Sequence, residues 1–306
     1  MCSSDLVGKA VAAVVVAGVL GGATVGAVFA VKGMQKDAAA QETVILSSDG
    51  AGVLDPSDAE SAPTLPDETT IEPTPSDVPP DPTPSAVPFD PTPIVFQNAD
   101  FEAAFREAYD FSGTICRSDI LSVTSLCLPA SRLTDISDVA MFENLTELDL
   151  SGNKIADLSA VSGLSDLTVL RLSDCHISSI NALRDLVNLE ELDLSDNLFS
   201  ELPALKGMMR LQYLDLSSNP ISSISTLSGL TELKYLDLHM AMIQYIGALS
   251  NLTKLEYLDL SYNEVQSYDV LGNLTALKKL NVSNNPMSKK QREELSAALP
   301  DCEIDY

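Results

Sequence analysis

Tryptophan is missing from the 306-residue chain, histidine occurs only twice, and basic residues are few. Eighteen Lys and Arg stand against 44 Asp and Glu, a net charge of -26. Phosphate repels so acidic a chain, which excludes nucleic acid and an anionic membrane surface as main partners and favours a neutral or cationic one. The five cysteines, Cys2, Cys116, Cys127, Cys175 and Cys302, are scattered and odd in number, with no Cys-x-x-Cys pair. Neither a zinc site nor a disulfide framework is expected from them. His176 and His239 lie far apart, and no nucleophile has a base at plausible spacing. Catalysis and a cofactor therefore have little to rest on.

Basic residues are absent from a second place as well. Ala10 to Val31 is a run of 22 residues without a charge, and about 20 apolar residues cross a bilayer as a helix. A single transmembrane anchor is the expectation for 10–31. Cleavage after Val28-Phe-Ala30, giving a secreted chain, is the alternative, although the apolar part of a signal peptide stops near about 15 residues. Gly18, Gly22 and Gly26 form small-xxx-small steps on which two such helices could pair. Lys9 on one side is balanced by Lys32 and Lys36 on the other, so charge does not orient the helix. The segment 1–9 opens with Met1 to Leu6, which resembles translated sequencing-adapter sequence; a native start further upstream, with a cytoplasmic part before Val7, is one expectation.

Between Lys36 and Arg106 there is no Lys or Arg at all, and Pro56 to Pro93 holds twelve prolines among Asp, Glu, Ser and Thr. Such a segment cannot bury a core. Residues 32–96 are expected to form a disordered, semi-rigid spacer of about 3 Å per residue where polyproline-like, similar to stalks that carry domains through a bacterial cell wall.

What is present begins at Val123. The sequence repeats at a spacing of 22, with starts at Val123, Leu145, Leu167, Leu189, Leu211, Leu233 and Leu255, and a partial eighth repeat at Leu277. Apolar residues fall at positions 1, 4, 6, 11, 14, 17 and 20, as in Leu145, Leu148, Leu150, Ile155, Leu158, Val161 and Leu164. A short strand around Leu-x-Leu would turn both leucines inward, and successive strands would stack in parallel about 4.8 Å apart. One coil cannot bury its own apolar side, so coils must stack. Position 9 is Asn153, Asn197, Asn219, Asn263 and Asn285, an inward amide able to satisfy backbone groups from coil to coil. Cys175 and Ala241 interrupt that ladder.

The pattern L-x-x-L-x-L-S-x-N-x-I-x-x-I-x-x-L-x-x-L, over Val123 to about Asn285, resembles the 22-residue leucine-rich repeats of internalin-like surface proteins of Gram-positive bacteria. The resemblance implies an α/β solenoid with short parallel strands on its concave face: an N-terminal cap over 97–122, seven repeats over 123–276, and a partial repeat with C-terminal cap over 277–306. Asp100 to Asp110 looks like the cap helix, with Phe101, Phe105 and Ala108 on its inner face. Ser288 to Leu299 reads as a closing helix and Pro300 to Ile304 as a closing strand, with Cys302 a core thiol. Internalins continue into an immunoglobulin-like module and a wall-sorting signal. Neither follows here, so attachment is expected to rest on the N-terminal helix, with the repeats outside a Gram-positive-type cell.

Positions 3, 5 and 7 should point outward together. Position 3 runs Glu147, Val169, Glu191, Tyr213, Tyr235, Tyr257, Lys279; position 5 runs Asp149, Arg171, Asp193, Asp215, Asp237, Asp259, Asn281. His239 breaks the serines of position 7, and Met240 and Tyr262 stand beside it at position 8. Rigid tyrosines make good anchors, so Tyr213, Tyr235, Tyr257, Asp215, Asp237, Asp259, His239 and Tyr262 are the expected contacts of a protein partner, or of a glycan. Stacking between coils alone would also produce the tyrosine column. The aspartates could attract calcium, but no single turn gathers the six or more oxygens it takes. Asn144, Asn251, Asn273 and Asn281 match the glycosylation pattern, yet they fall at recurrent repeat positions. A structural envelope protein without a strong ligand, or the sensor domain of a longer signalling protein, would show the same repeats.

Overall fold

The computed structural model describes residues 89–306. The apolar run at 10–31, its glycines, Cys2 and nearly all of the Pro-rich segment lie outside the described residues. Among those described, no helix is long and apolar enough to cross a membrane.

Each coil contributes one three-residue strand, and the strands form a single all-parallel sheet in chain order. They are β1 (Ser125–Cys127), β2 (Glu147–Asp149), β3 (Val169–Arg171), β4 (Glu191–Asp193), β5 (Tyr213–Asp215), β6 (Tyr235–Asp237), β7 (Tyr257–Asp259), β8 (Lys279–Asn281) and β9 (Glu303–Asp305). Partners lie 22 residues apart from β1 through β8, as with Leu214, Leu236 and Leu258. The strands cover positions 3 to 5. The ladder then continues through position 6, whose amide bonds the next coil, as Leu150 N does to the Arg171 carbonyl at 3.0 Å. The return side is made of short 3-10 turns such as Ser159–Val161 and Gly247–Asn251. In the coil from Leu145 all seven apolar positions are buried, at 4% exposure or less. That arrangement follows from the pattern: seven inward side chains per coil have only the neighbouring coils to pack against.

The asparagine ladder is present. Asn153 donates to the carbonyls of Leu128 (2.9 Å) and Leu150 (2.7 Å) and accepts from Leu133 N (2.9 Å). Asn197 and Asn263 repeat the arrangement. Cys175 substitutes weakly, its thiol 3.2 Å from the Leu150 carbonyl. Asn219 Oδ1 is buried with no hydrogen-bond partner.

At the N-terminal end α1 (Ala99–Ala108) and α2 (Arg117–Leu121) close the first coil. Asn98 caps α1 by accepting from Asp100 N (2.8 Å) and Phe101 N (3.2 Å). Phe101 and Phe105 are buried as expected, but Ala108 is exposed, and Ala104 and Tyr109 pack on the core in its place. Angular position does not separate them, since Ala108 stands three residues after Phe105 as Ala104 does after Phe101; Ala108 is the last residue of the helix, and there Tyr109 stacks on Phe105 with ring centroids 4.9 Å apart. The segment read as the end of the linker also belongs to the cap. Ile94 N bonds the Ile115 carbonyl (2.9 Å), Arg117 N the Thr92 carbonyl (2.8 Å), and Phe96 is buried among Phe101 and Phe105. The buried Asp138 carboxylate locks this entry by accepting from Gln97 N (2.9 Å) and Asn98 N (2.8 Å). At the other end α3 (Lys289–Ala298) starts at the Ser288–Gln291 capping box, and β9 covers β8. The closing strand starts at Glu303, after a turn at Asp301 and Cys302. Cys302 is half-buried against the core, and Cys127, Cys175 and Cys302 are free thiols.

Candidate partner-binding face

The pairing of β5, β6 and β7 places Tyr213, Tyr235 and Tyr257 in register on the outer face of the sheet. Their rings stack, with centroids 4.3 Å apart at 10° and 4.4 Å apart at 3°. Strand spacing imposes this: identical aromatic residues at one register of neighbouring parallel strands meet face to face. The rings are half-buried, largely by one another. Burial, then the neighbouring aspartates, pushes all three phenols up, so their hydroxyls stay protonated and remain donors at neutral pH.

The aspartates serve the turn that follows each strand. Asp215 Oδ1 accepts from Ser217 N (2.9 Å) and Ser217 Oγ (2.7 Å), Asp193 does the same with Ser195, and Asp237 accepts from His239 N (2.8 Å). Asn281 performs the identical task for Ser283. Position 5 therefore closes a local turn in every one of these coils. Packing has an electrostatic consequence as well: burial first, then the adjacent carboxylates, raises Asp215 to about 7; burial raises Asp237 to about 6 despite its bond from His239 N. Among the described residues no group of three or more ligating side chains is placed to hold a metal ion.

The two other expected contacts sit beside the column. His239 Nδ1 lies 2.8 Å from Ser261 Oγ, and the His239 ring meets Tyr262 edge-on at 5.2 Å. Ser261 Oγ also donates to Asp259 Oδ1, which leaves His239 Nδ1 as the donor to Ser261. This is not a hydrolytic triad: Ser261 is fully buried and its proton points at the carboxylate rather than at a base. His176 lies apart, exposed on a turn with positive φ. Of the glycosylation-pattern residues, Asn144 donates to the Leu121 carbonyl (2.7 Å) and Asn281 to Asp259 Oδ2 (2.8 Å), so both have structural work. Sequence reasoning passed over Met242 and Tyr245, which are largely exposed beside Met240; the signal was a break in repeat pattern at positions it treated as loop.

The comparisons with known proteins agree with this architecture. The leucine-rich repeat region family matches residues 127–302. None of the curated proteins compared with the sequence matches it. Among solved structures, an internalin of Listeria monocytogenes superposes with a TM-score of 0.62 and 26% identity, covering 70% of this chain and 70% of that one. Internalin C2 of the same organism gives 0.63 and 27%, covering 70% of this chain and 97% of that one. Matching in sequence over more than half its length and in fold to internalins, the chain belongs to the leucine-rich repeat family in its internalin-like form.

Proposed function

We propose that the chain is a surface-displayed binding protein that takes a protein partner on the outer face of its sheet, with residues 10–31 as a single membrane anchor and the Pro-rich segment as a stalk. The observation that carries this reading is the stack of Tyr213, Tyr235 and Tyr257. Paired strands hold the three rings, so little conformational entropy is lost when a partner docks. A row of donor hydroxyls sits beside carboxylates, which suits a protein surface bearing Lys or Arg. A glycan fits less well, because a sugar packs on an aromatic face and the inner ring faces here are used by neighbouring tyrosines.

Two measurements test the proposal. Protease treatment of intact producing cells should remove the repeats; repeats that survive on cells but are cut in lysates would contradict surface display. A photo-crosslinking residue at position 235 should trap a cell-surface or secreted protein, whereas the same residue at exposed Ser162, on the return side, should not. Equal trapping at both positions would move the contact off the sheet face.

A further inference from the structure

The coil that starts at Leu233 breaks the repeat at five positions in a short stretch. Where the other complete coils carry serine or Pro129 it has His239, and Met240, Ala241, Met242 and Tyr245 follow at positions 8, 9, 10 and 13. Two of these choices work against folding. Position 8 has a positive φ in every coil; Gly152, Asp174, Asp196, Ser218 and Asn284 are among its occupants. Met240 at φ 51 and Tyr262 at φ 55 place long side chains on a backbone that bulky residues disfavour. Ala241 gives up the ladder amide. Burial does not compensate: Met240, Met242, Tyr245 and Tyr262 are 55%, 54%, 71% and 54% exposed. Leu198, at position 10 two coils earlier, is 59% exposed, so an apolar ridge runs along the loop edge beside the sheet.

Its electrostatic setting is one-sided. Positions 7 to 13 of the four coils from Leu189 to Leu255 contain no Lys or Arg, yet they carry Asp196, Glu201 and Glu264, and no ion pair engages these three. Residues kept exposed where they oppose the local backbone answer to something other than the fold. We propose that this ridge is a contact surface for an apolar segment of another protein that carries Lys or Arg at its flank. The acidic rim supplies the charge complementarity, and it disfavours a second copy of this chain, whose ridge has the same rim. The inference rests on the reading of the chain as a binding protein, not on the tyrosine stack being the contact.

The probe is a library of random twelve-residue peptides displayed on phage and selected on the immobilised full chain. Enriched peptides should combine aliphatic or aromatic residues with Lys or Arg. They should bind about tenfold or more weakly to the variant Met240→Asn, Met242→Ser, Tyr245→Ser, Tyr262→Asn. That variant should unfold at or above the wild-type midpoint, because asparagine tolerates positive φ. Tyr245→Ser alone, which alters a side chain 71% exposed, should weaken binding without touching the core. Acidic peptides, no enriched peptides, or undiminished binding to both variants would overturn the proposal. So would a concentration-dependent dimer that the fourfold variant abolishes. Peptides that lose affinity for Tyr235→Ala but not for the ridge variants would refute the ridge while leaving the sheet face as the contact.

Discussion

Tyr235 and Leu236 adjoin in the chain, and their side chains leave β6 on opposite faces. Leu236 is fully buried, so Leu236→Ala should lose about 2 to 5 kcal/mol through the cavity it opens. A side chain that merely points outward would leave the fold indifferent to Tyr235→Ala. The stack makes it cost something: one substitution removes two ring contacts, worth about 0.5 to 1.5 kcal/mol each at most. Chemical denaturation of the two variants should show a modest and a severe loss; equal losses would mean that the repeat frame is wrong. Ala241→Asn should stabilise the domain by about 1 kcal/mol, since Ala241 is buried and the Leu216 carbonyl receives only a 3.2 Å bond from Asn219 within its own coil. A midpoint that drops would remove the ladder as an explanation. Residue facing was legible because a fixed spacing of 22 gives every position its own environment. The burial of position 5 was not, since it depends on which side chains roof it over: tyrosines here, Glu147, Val169 and Glu191 in the coils before.

At the scale of the strand and its turn, the aspartates set a pH dependence. Unfolded aspartate titrates near about 3.9, whereas folded Asp215 is raised to about 7 and Asp237 to about 6. Between these limits the folded chain binds more protons than the unfolded one, so stability falls as pH rises. The domain should therefore unfold at a lower midpoint near about pH 8 than near about pH 5. Asp215→Asn, which keeps the turn as Asn281 does, should flatten that slope; an unchanged slope would show that the aspartate column is not its source. Asp237→Ala, by contrast, should destabilise near about pH 5, because it strips the acceptor from His239 N, and that loss should shrink toward about pH 8, where the buried carboxylate it removes is charged and itself unfavourable. The closing helix was legible in place: Ser288 to Leu299 reads as a helix, and α3 runs from Lys289 to Ala298. The inner face of α1 was only half legible: Phe101 and Phe105 stood out by size, while Ala104 and Ala108 look alike until the helix is docked.

For the whole solenoid, stability depends on sealing both ends, because an uncapped coil exposes a row of leucines. The N-terminal seal begins before the boundary that composition suggests. Proline content falls only after Pro93, yet Thr92 and Ile94 already pair with the strand-like segment before α2. A chain starting at Gln97 loses those bonds and Phe96, and should be less stable by about 3 kcal/mol or more than one starting at Phe89; equal thermal midpoints would show that the entry segment contributes nothing. No periodicity marks such a segment, since its partner lies about 20 residues away on an irregular stretch, whereas the repeat advertises its own pairing.

Binding of a protein on the face built by β5, β6 and β7 carries the proposed function. Its most direct test is the affinity of the partner trapped at position 235 for the double variant Tyr235→Ala, Tyr257→Ala, measured alongside the unfolding midpoint. An account in which rigid tyrosines carry the contact predicts a loss of about thirtyfold or more, roughly 2 kcal/mol, in a folded protein. Unchanged affinity in a folded variant would contradict it.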